Sequence, residues 1–314
     1  MRRVVSAVLV IAVVLSLLAS CSASSPSKTD DGKLRIVTTV FPPYDFAKNI
    51  VGDKAEVTML LPAGTESHSY ELTAHDCMTV KNCDLFICIS GEGEMWVDKL
   101  LSSIEKPSLS VVSILDAVSL EEEEHVEGME NHDEDSAQVE YDEHVWTSPV
   151  NAQLITRYIC EKLCEIDEEN ASFYRQNCEK YIERLEKLDG DFREMISGAK
   201  RNRIVVADRF PFRYLCEEYS LDYSAAFAGC EAATDPSART VKYLIDKVNE
   251  ENIPVVFYIE FSQKTVANVV LASTQAKGME LHSCHNVSKE DFDSSKGYIE
   301  IMEQNLKALK EALN

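Results

Sequence analysis

The stretch that decides the fold covers residues 34–61 and reads LRIVTTVFPPYDFAKNIVGDKAEVTMLL. Residues 34–40 and 56–61 are rich in apolar and β-branched side chains, a composition typical of strands that are buried on both faces. Residues 44–51, which lie between them, show the apolar spacing of a helix. Two buried strands separated by a helix predict a parallel strand pair, because a parallel connection has to cross over the sheet.

The same alternation recurs in both halves of the chain. In the first half, a helix at residues 73–82 leads into a third predicted strand at 84–90. In the second half, four strands alternate with helices; the strands are predicted at 203–207, 223–227, 255–259 and 279–282, and the helices near 214–219, 240–251, 265–276 and 298–313. This alternation favours an α/β fold with parallel sheets covered by helices.

A long helical pattern separates the two halves. It begins behind Pro149, a residue favoured in the first turn of a helix, and its apolar spacing runs over residues 150–199. We therefore expect two lobes, each a parallel sheet flanked by helices, joined by one long rigid helix, with a ligand site in the cleft between them. The predicted units are an N-terminal lobe at 34–148, a connecting helical segment at 149–200 and a C-terminal lobe at 201–314.

The N-terminus has the features of a lipoprotein signal. Arg2 and Arg3 precede an apolar stretch that is shorter than the roughly 20 residues needed to span a bilayer. Behind it, the sequence Leu-Ala-Ser-Cys ending at Cys21 resembles the lipobox of bacterial lipoproteins. We expect a signal peptide at 1–20, a lipid on Cys21 and a flexible tether at 21–33, which would hold the protein on the outer face of the cytoplasmic membrane. An ordinary signal or an N-terminal anchor with an incidental cysteine is the alternative.

The charge of the chain is strongly acidic and unevenly distributed. The 314 residues include 54 acids against 31 Lys plus Arg, a formal net charge of −23. Such a surface repels phosphate backbones, which argues against a nucleic-acid partner. Residues 120–143 alone hold 12 acids and no Lys or Arg, and they also contain His125 and His132. This insert is too polar to bury itself, so we expect a disordered loop on the first lobe.

Several residues that can bind a metal follow the predicted strands. Ligands of α/β proteins collect at the carboxyl ends of the strands, so side chains in these positions converge on the cleft. The residues concerned are His68, His144, Asp208, Glu260 and His282. A single histidine would be weak evidence, whereas three at comparable positions indicate a metal site.

Three motifs connect these residues with a known family: Gly64-x-x-x-His68-x-Tyr70-Glu71, Asp142-x-His144-Val145-Trp146-x-x-Pro149 and Tyr258-Ile259-Glu260-Phe261-Ser262. They resemble the motifs of the metal-binding solute-binding lipoproteins of ABC importers, the cluster that delivers zinc or manganese, and most of all its zinc-binding members. The resemblance extends from Leu34 to the C-terminus and agrees with the lipobox and the acidic insert. It implies a monomeric binding protein without catalysis that hands its metal to an ABC permease in the membrane.

The resemblance also implies four metal ligands. The first two are His68 and His144. At the third position, where the family has His or Glu, alignment without gaps places Arg209, whose guanidinium cannot bind a metal, whereas a shift of one residue offers Asp208. At the fourth position, where the family has Asp or Glu, this chain has His282. The expected ligands are therefore His68, His144, His282 and Asp208.

The identity of the fourth ligand is not decided, because other residues are also candidates. His285 is the alternative imidazole, and a Cys284 thiolate would also suit zinc. The chain has ten cysteines, of which nine follow Cys21, and in an oxidising compartment Cys284 is also a candidate disulfide partner of Cys230. We interpret Glu260 as a residue that orients an imidazole, with direct metal binding as the alternative.

Three imidazoles and one carboxylate favour Zn²⁺ over Mn²⁺, which prefers more oxygen ligands. If the cargo is Zn²⁺, the acidic insert has two interpretations: a solvated loop, or a weak collector of Zn²⁺ near the cleft through His125, His132 and the acids around them.

Two other function classes stay open beside the binding protein: an extracytoplasmic zinc hydrolase and a surface adhesin. The sequence contains no His-Glu-x-x-His and no Gly-x-Ser-x-Gly motif, which makes the hydrolase the weaker hypothesis. An adhesin would not explain the positions of the histidines.

Overall fold

The computed structural model describes residues 32–66, 70–94, 96–104, 106–129, 140–229 and 236–314. This part of the chain forms two four-stranded sheets in which all strand pairs are parallel. The first sheet has the order β2-β1-β3-β4, and its strands are Leu34–Thr38 (β1), Ala55–Met59 (β2), Leu85–Cys88 (β3) and Ser110–Ser113 (β4). The second has the order β6-β5-β7-β8, with Arg203–Val206 (β5), Asp222–Ala225 (β6), Val255–Tyr258 (β7) and Lys277–Glu280 (β8). The predicted α/β fold with two parallel sheets is confirmed.

The helices of the first lobe are Phe41–Val51 (α1), Ala74–Asn82 (α2) and Trp96–Ser103 (α3). Helix α1 opens with Pro42 and Pro43, which fit there because the first turn of a helix needs no backbone N–H donors. Helix α2 begins with a capping box, since Thr73 and Asp76 bond each other's backbone N–H. Helix α3 and the edge strand β4 were not predicted from the sequence.

The connecting segment differs from the single helix that the sequence predicted. It forms two helices, Pro149–Ile166 (α4) and Ala171–Ser197 (α5). They run antiparallel, because Arg157 of α4 pairs with Glu179 of α5 at 2.7 Å while the ends next to the turn also meet. The turn is stabilised by the carboxylate of Asp167, which accepts hydrogen bonds from the side chains of Asn170 (2.8 Å) and Tyr174 (2.7 Å). Asp and Asn favour such local hydrogen bonds over a continuing helix.

The helices of the second lobe are Arg213–Tyr219 (α6), Ala238–Glu250 (α7), Thr265–Ala272 (α8), Lys289–Asp293 (α9) and Tyr298–Leu313 (α10). Buried polar contacts join α1 of the first lobe to α5 and to α10. Asp45 of α1 accepts hydrogen bonds from the Tyr181 hydroxyl of α5 (2.7 Å) and from the backbone N–H of Tyr298 (3.2 Å). Burial raises the pKa of the Asp45 carboxyl.

Trp146 joins the two lobes next to the cleft. Its side chain is fully buried, and its Nε1–H donates to the carbonyl of Ser283 at 2.8 Å. Its own carbonyl accepts from the Tyr298 hydroxyl at 2.6 Å. A core that is continuous through both lobes surrounds this contact. Such packing opposes a wide hinge opening of the lobes.

The described parts of the acidic insert pack differently from the prediction of a disordered loop on the first lobe. Its described parts, 120–129 and 140–143, pair through an antiparallel bridge between Glu122 and Tyr141. They contact the second lobe, where the Tyr223 hydroxyl donates to Glu124 at 3.0 Å and Arg213 lies 3.7 Å from the same carboxylate. The basic and aromatic side chains of the second lobe therefore hold these parts of the insert in place, and His132 lies outside the described residues.

None of the described helices has the length and apolar character of a membrane span.

Candidate metal site between the lobes

One cavity is lined by residues of both lobes. The first lobe contributes the loop behind β2 and the segment before α4, and the second lobe contributes the loops behind its four strands. The lining residues that can bind a metal or carry charge are Glu66, His144, Arg209, Glu260 and His285. The cavity lies where strand connections change direction in the second sheet, between β5 and β7, as expected for α/β proteins.

His144 is held in a defined tautomer. Its ring is buried, and its Nδ1 lies 3.0 Å from Oδ1 of Asp142, which also accepts the backbone N–H of His144 at 2.8 Å. A carboxylate can only accept, so Nδ1 carries the proton and the lone pair is on Nε2. A histidine whose Nδ1–H donates to a carboxylate is the usual arrangement of a metal-binding imidazole. The role of Asp142 was not assigned from the sequence, although its position two residues before His144 is part of the quoted motif.

His285 is the second imidazole of the cavity. The ring centroids of His285 and His144 are 5.5 Å apart, and both rings pack against the Trp146 ring at 5.2 and 5.4 Å. His285 also connects the lobes, since its carbonyl accepts the backbone N–H of Phe41 at 3.2 Å. The two imidazoles thus lie side by side in a buried part of the cleft.

Glu260 stabilises the turn that carries His285. Its carboxylate accepts hydrogen bonds from the backbone N–H of Ser283, at 2.8 Å, and from the Ser283 hydroxyl. The same hydroxyl accepts the backbone N–H of His285 at 3.1 Å. Glu260 lies two residues beyond the end of β7, so the end of that strand sets the position of the imidazole. This geometry agrees with the interpretation of Glu260 as an orienting residue, and Ser283, which was not singled out from the sequence, is the link.

The hydrogen bonding of His282 differs from that of a metal ligand. Its Nδ1 lies 2.9 Å from the backbone nitrogen of Cys284, whose N–H can only donate. Nδ1 is therefore the acceptor, and the neutral ring carries its proton on Nε2. The backbone of His282 bonds the Asn305 side chain of α10 at 2.8 and 2.7 Å. In the described structure His282 holds the turn behind β8, whereas His285 lines the cavity with His144; His282 as a ligand stays a prediction.

Asp208 is also engaged in local hydrogen bonds. Its carboxylate accepts the Arg209 backbone N–H at 2.9 Å and the Ser262 hydroxyl. Burial raises its pKa above the usual value of a carboxyl group. Among the described residues that line the cavity with the two imidazoles, Asp208 does not occur, whereas Arg209 does. These bonds hold the loop behind β5 in the described structure, and Asp208 as a ligand stays a prediction.

The other candidate metal ligands do not complete the site within the described residues. His68 lies outside the described residues, but Glu66, two positions before it, lines the cavity. Among the described side chains, no three of His, Cys, Asp or Glu are arranged to hold a metal ion. His144 and His285 thus form a pair within the described part of the chain. His125 is exposed on the insert.

Cys284 is a buried free thiol, and burial raises its pKa well above the usual value, which argues against a thiolate ligand. Cys230 and Cys21 lie outside the described residues, so the disulfide of Cys230 with Cys284 and the lipid on Cys21 stay predictions.

Comparison with known proteins gives a consistent result. A family model described as zinc-uptake complex component A, periplasmic, matches residues 36–312. The chain is 34% identical over 314 residues to the high-affinity zinc uptake system protein ZnuA of Bacillus subtilis, covering 98% of this chain and 97% of that protein. It is 33% identical over 290 residues to the zinc-binding lipoprotein AdcA of Streptococcus pneumoniae, covering 92% of this chain and 58% of that protein, so it spans little more than half of the AdcA length. The crystal structure of the Zn(II)-bound ZnuA-like domain of that AdcA matches with a TM-score of 0.75 at 30% identity, over 90% of this chain and 99% of the domain.

Proposed function

Because the chain belongs to the family of the periplasmic zinc-uptake complex component A, we propose that it captures Zn²⁺ outside the cytoplasm and delivers it to an ABC permease for import. The observation that carries this proposal is the buried pair of His144 and His285 in the cleft between the lobes, with the carboxylate of Asp142 orienting the first ring. Two adjacent imidazoles in a cleft that both lobes close are suited to hold a metal ion, and the loop that leads to His68 lines the same cleft.

The ligands that we propose are His68, His144 and His285. This set replaces His282 and Asp208, whose hydrogen bonds with the backbone and with Ser262 serve the loops that carry them. Glu260 orients His285 through Ser283 and supplies the negative charge beside the site. Buried imidazoles favour Zn²⁺ over Mn²⁺, because Mn²⁺ prefers carboxylate, carbonyl and water oxygens. Cargo selection then depends on the nitrogen ligands of the cleft.

We propose further that the protein is a binder without catalysis. A zinc hydrolase needs an open coordination position and a general base that is available to the bound water. Of the two carboxylates that line the cavity, Glu260 is bonded to Ser283 and Glu66 is paired with Arg209. Both are committed to holding loops, so neither is suited to activate a water molecule. Delivery would use small movements of these loops, since the lobes share a buried contact through Trp146.

The position in the cell follows from the N-terminal sequence. A signal peptide at 1–20, a lipid on Cys21 and a tether at 21–33 would keep the monomeric protein at the outer face of the cytoplasmic membrane, near its permease. The tether, fully extended, reaches about 40 Å from the membrane.

The experiment that tests the function is metal analysis of the purified protein. Zinc-free protein equilibrated with Zn²⁺ and Mn²⁺ together should retain one tightly bound Zn²⁺ per chain. The loaded protein should hydrolyse neither ester nor peptide substrates above the rate of free Zn²⁺. Tight retention of Mn²⁺ in preference to Zn²⁺, or hydrolysis that is lost on zinc removal, would contradict the proposal.

A further inference from the structure

The loop behind β2 belongs to the first lobe by sequence, but three of its hydrogen bonds join it to the second lobe. Asn286 donates through its side-chain nitrogen to the carbonyls of Pro62 (2.8 Å) and Thr65 (2.7 Å). The backbone N–H of Gly64, a residue with a φ of +83°, donates to the carbonyl of Val287 at 2.7 Å. The loop is thus attached to the turn that carries His285. A displacement of that turn would move the loop as well.

An ion pair completes this attachment. Nη1 of Arg209 lies 2.9 Å from Oε1 of Glu66, and the Arg209 side chain is only 13% exposed. Arg209 is itself fixed, since its backbone N–H donates to Asp208, which accepts the Ser262 hydroxyl from the loop behind β7. The backbone of Arg209 is therefore fixed in the second lobe, and its guanidinium binds a carboxylate of the first lobe. A partly buried, fixed pair has more effect than an exposed one, because less side-chain entropy is lost on pairing.

Arg209 cannot bind the metal directly. A guanidinium has no lone pair for a metal, and its positive charge in the cavity opposes a cation. Yet the residue lines the same cavity as His144 and His285. Pairing with Glu66 neutralises the charge and uses it to fix the loop. These two effects of Arg209 on zinc binding have opposite signs, so an experiment can separate them.

We propose that Arg209 is a positioning residue for zinc binding: through Glu66 it fixes the loop that leads to His68 against the second lobe. The inference rests on the proposed function and goes beyond it, because it assigns a role to the positively charged Arg209 side chain beside a site for Zn²⁺. At Arg209, where the resembling family has a metal ligand, the chain has an ion pair with Glu66 instead. This pair contributes to zinc affinity by fixing the geometry of the loop behind β2.

The test measures the dissociation constant of Zn²⁺ alone, by competition with a chromophoric chelator, on the full mature chain. Arg209→Gln and Glu66→Gln should each weaken binding by about tenfold, and the double variant should be no weaker than either single one, because the two residues act as one unit. Arg209→Glu should bind weakly, since it places two carboxylates together, and Glu66→Arg combined with Arg209→Glu should restore the affinity. Arg157→Gln is the matched control, because it breaks an exposed pair of 2.7 Å between α4 and α5, and it should leave the affinity unchanged.

Several results would overturn the proposal. Tighter zinc binding by Arg209→Gln would show that repulsion of the cargo is its main effect, and tight binding by Arg209→Glu alone would indicate a direct ligand at this position. Full additivity of the two Gln variants would show that they act separately. If Arg209→Gln fails to fold, as judged by thermal unfolding without zinc, Glu66→Gln and the reversed pair decide the question. Failure of the unaltered chain to bind zinc would contradict the proposed function instead, so the two failures are distinguishable.

Discussion

Two segments of the molecule carry a histidine at the edge of the cleft, and their hydrogen bonds give the two rings opposite chemistry. In the segment before α4, Nδ1 of His144 donates to the carboxylate of Asp142 at 3.0 Å. In the turn behind β8, Nδ1 of His282 accepts from the backbone N–H of Cys284 at 2.9 Å. The first ring has its lone pair on Nε2, and the second has a proton there.

This difference shows that the position of a histidine does not decide its role. Both residues lie close to the ends of elements that face the cleft, and both are largely buried. We propose that the partner of Nδ1 makes His144 a metal ligand and His282 a structural residue. Three positions beyond His282, the ring of His285 packs beside His144 without that constraint from Cys284. The comparison can be tested with matched substitutions.

The largest effect is expected for the two histidines themselves. His144→Ala should weaken zinc binding roughly 1,000-fold, because it removes one of few ligands of a tight site. His282→Ala is the matched control, and it should change the zinc affinity less than about tenfold, as expected for a residue that acts only on the support of the site. Both constants are measured by chelator competition. Loss of tight zinc in His282→Ala, with thermal stability retained, would restore His282 as a ligand and reverse the comparison.

The two lobes also differ in the carboxylates that follow their central strands. Glu260, behind β7, bonds Ser283 in the second lobe. Glu94, behind β3, accepts the backbone N–H groups of Ile89 (2.8 Å) and Ser90 (3.1 Å) in the first lobe. Burial raises the pKa of Glu94 to about 7, and the nearby Glu143 carboxylate adds to the rise. The first lobe thus contains a carboxyl group that holds its proton near neutral pH.

Glu94 should make the protein less stable as the pH rises. Between its unfolded value of 4.5 and its folded value of about 7, the folded state binds more protons than the unfolded state, so the free energy of unfolding falls with rising pH. The total fall is at most about 3 kcal/mol. Urea unfolding of zinc-free protein from pH 4.5 to 8 measures it. In Glu94→Gln this decline should flatten, and an unchanged slope would exclude Glu94 as its source.

A smaller effect is expected for the partner of His144. Asp142→Asn keeps the size of the side chain but removes its charge, so the preference for a proton on Nδ1 is weakened. Zinc affinity should fall by roughly 10- to 100-fold, the usual range for residues that orient a metal-binding histidine. An affinity equal to that of the unaltered chain would mean that the Asp142 hydrogen bond does not distinguish His144 from His282.

The fold could largely be predicted from the sequence, because its strands are apolar runs separated by helical patterns. Strand β4 was missed because it has only four residues at a sheet edge, and its sequence SVVS has a single buried residue. The break between α4 and α5 was missed because the apolar spacing continues on both sides of Asp167. There the hydrogen bonds of Tyr174 and Asn170 decide the structure.

The candidate site was less predictable, because its assignment depends on contacts between distant residues. The motif around His144 was recognised in the sequence, and its geometry agrees with a metal-binding role. The choice between His282 and His285 could not be made, since it depends on Glu260, Cys284 and a packed tryptophan. The contacts of the described parts of the acidic insert could not be predicted for a similar reason: their partners Tyr214 and Tyr223 lie 93 and 99 positions along the chain from the residues they bond.

The smallest effect on the tight site is expected from the insert, and it separates the collector from the solvated loop. Residues 121–124 contact the second lobe, so the substitution should spare them and replace 130–139, which carries His132 and four acids, by a Gly-Ser stretch of equal length. One tight Zn²⁺ should remain, while weakly bound Zn²⁺ in equilibrium dialysis should decrease, because carboxylates and an imidazole attract the cation locally. Replacing Glu183, Glu186 and Glu194 on the exposed face of α5 by Gln is the control for general charge. An equal loss of weakly bound Zn²⁺ in both variants would mean that the insert is only a solvated loop. Loss of the tightly bound Zn²⁺ would mean that this segment contributes to the site of His144 and His285.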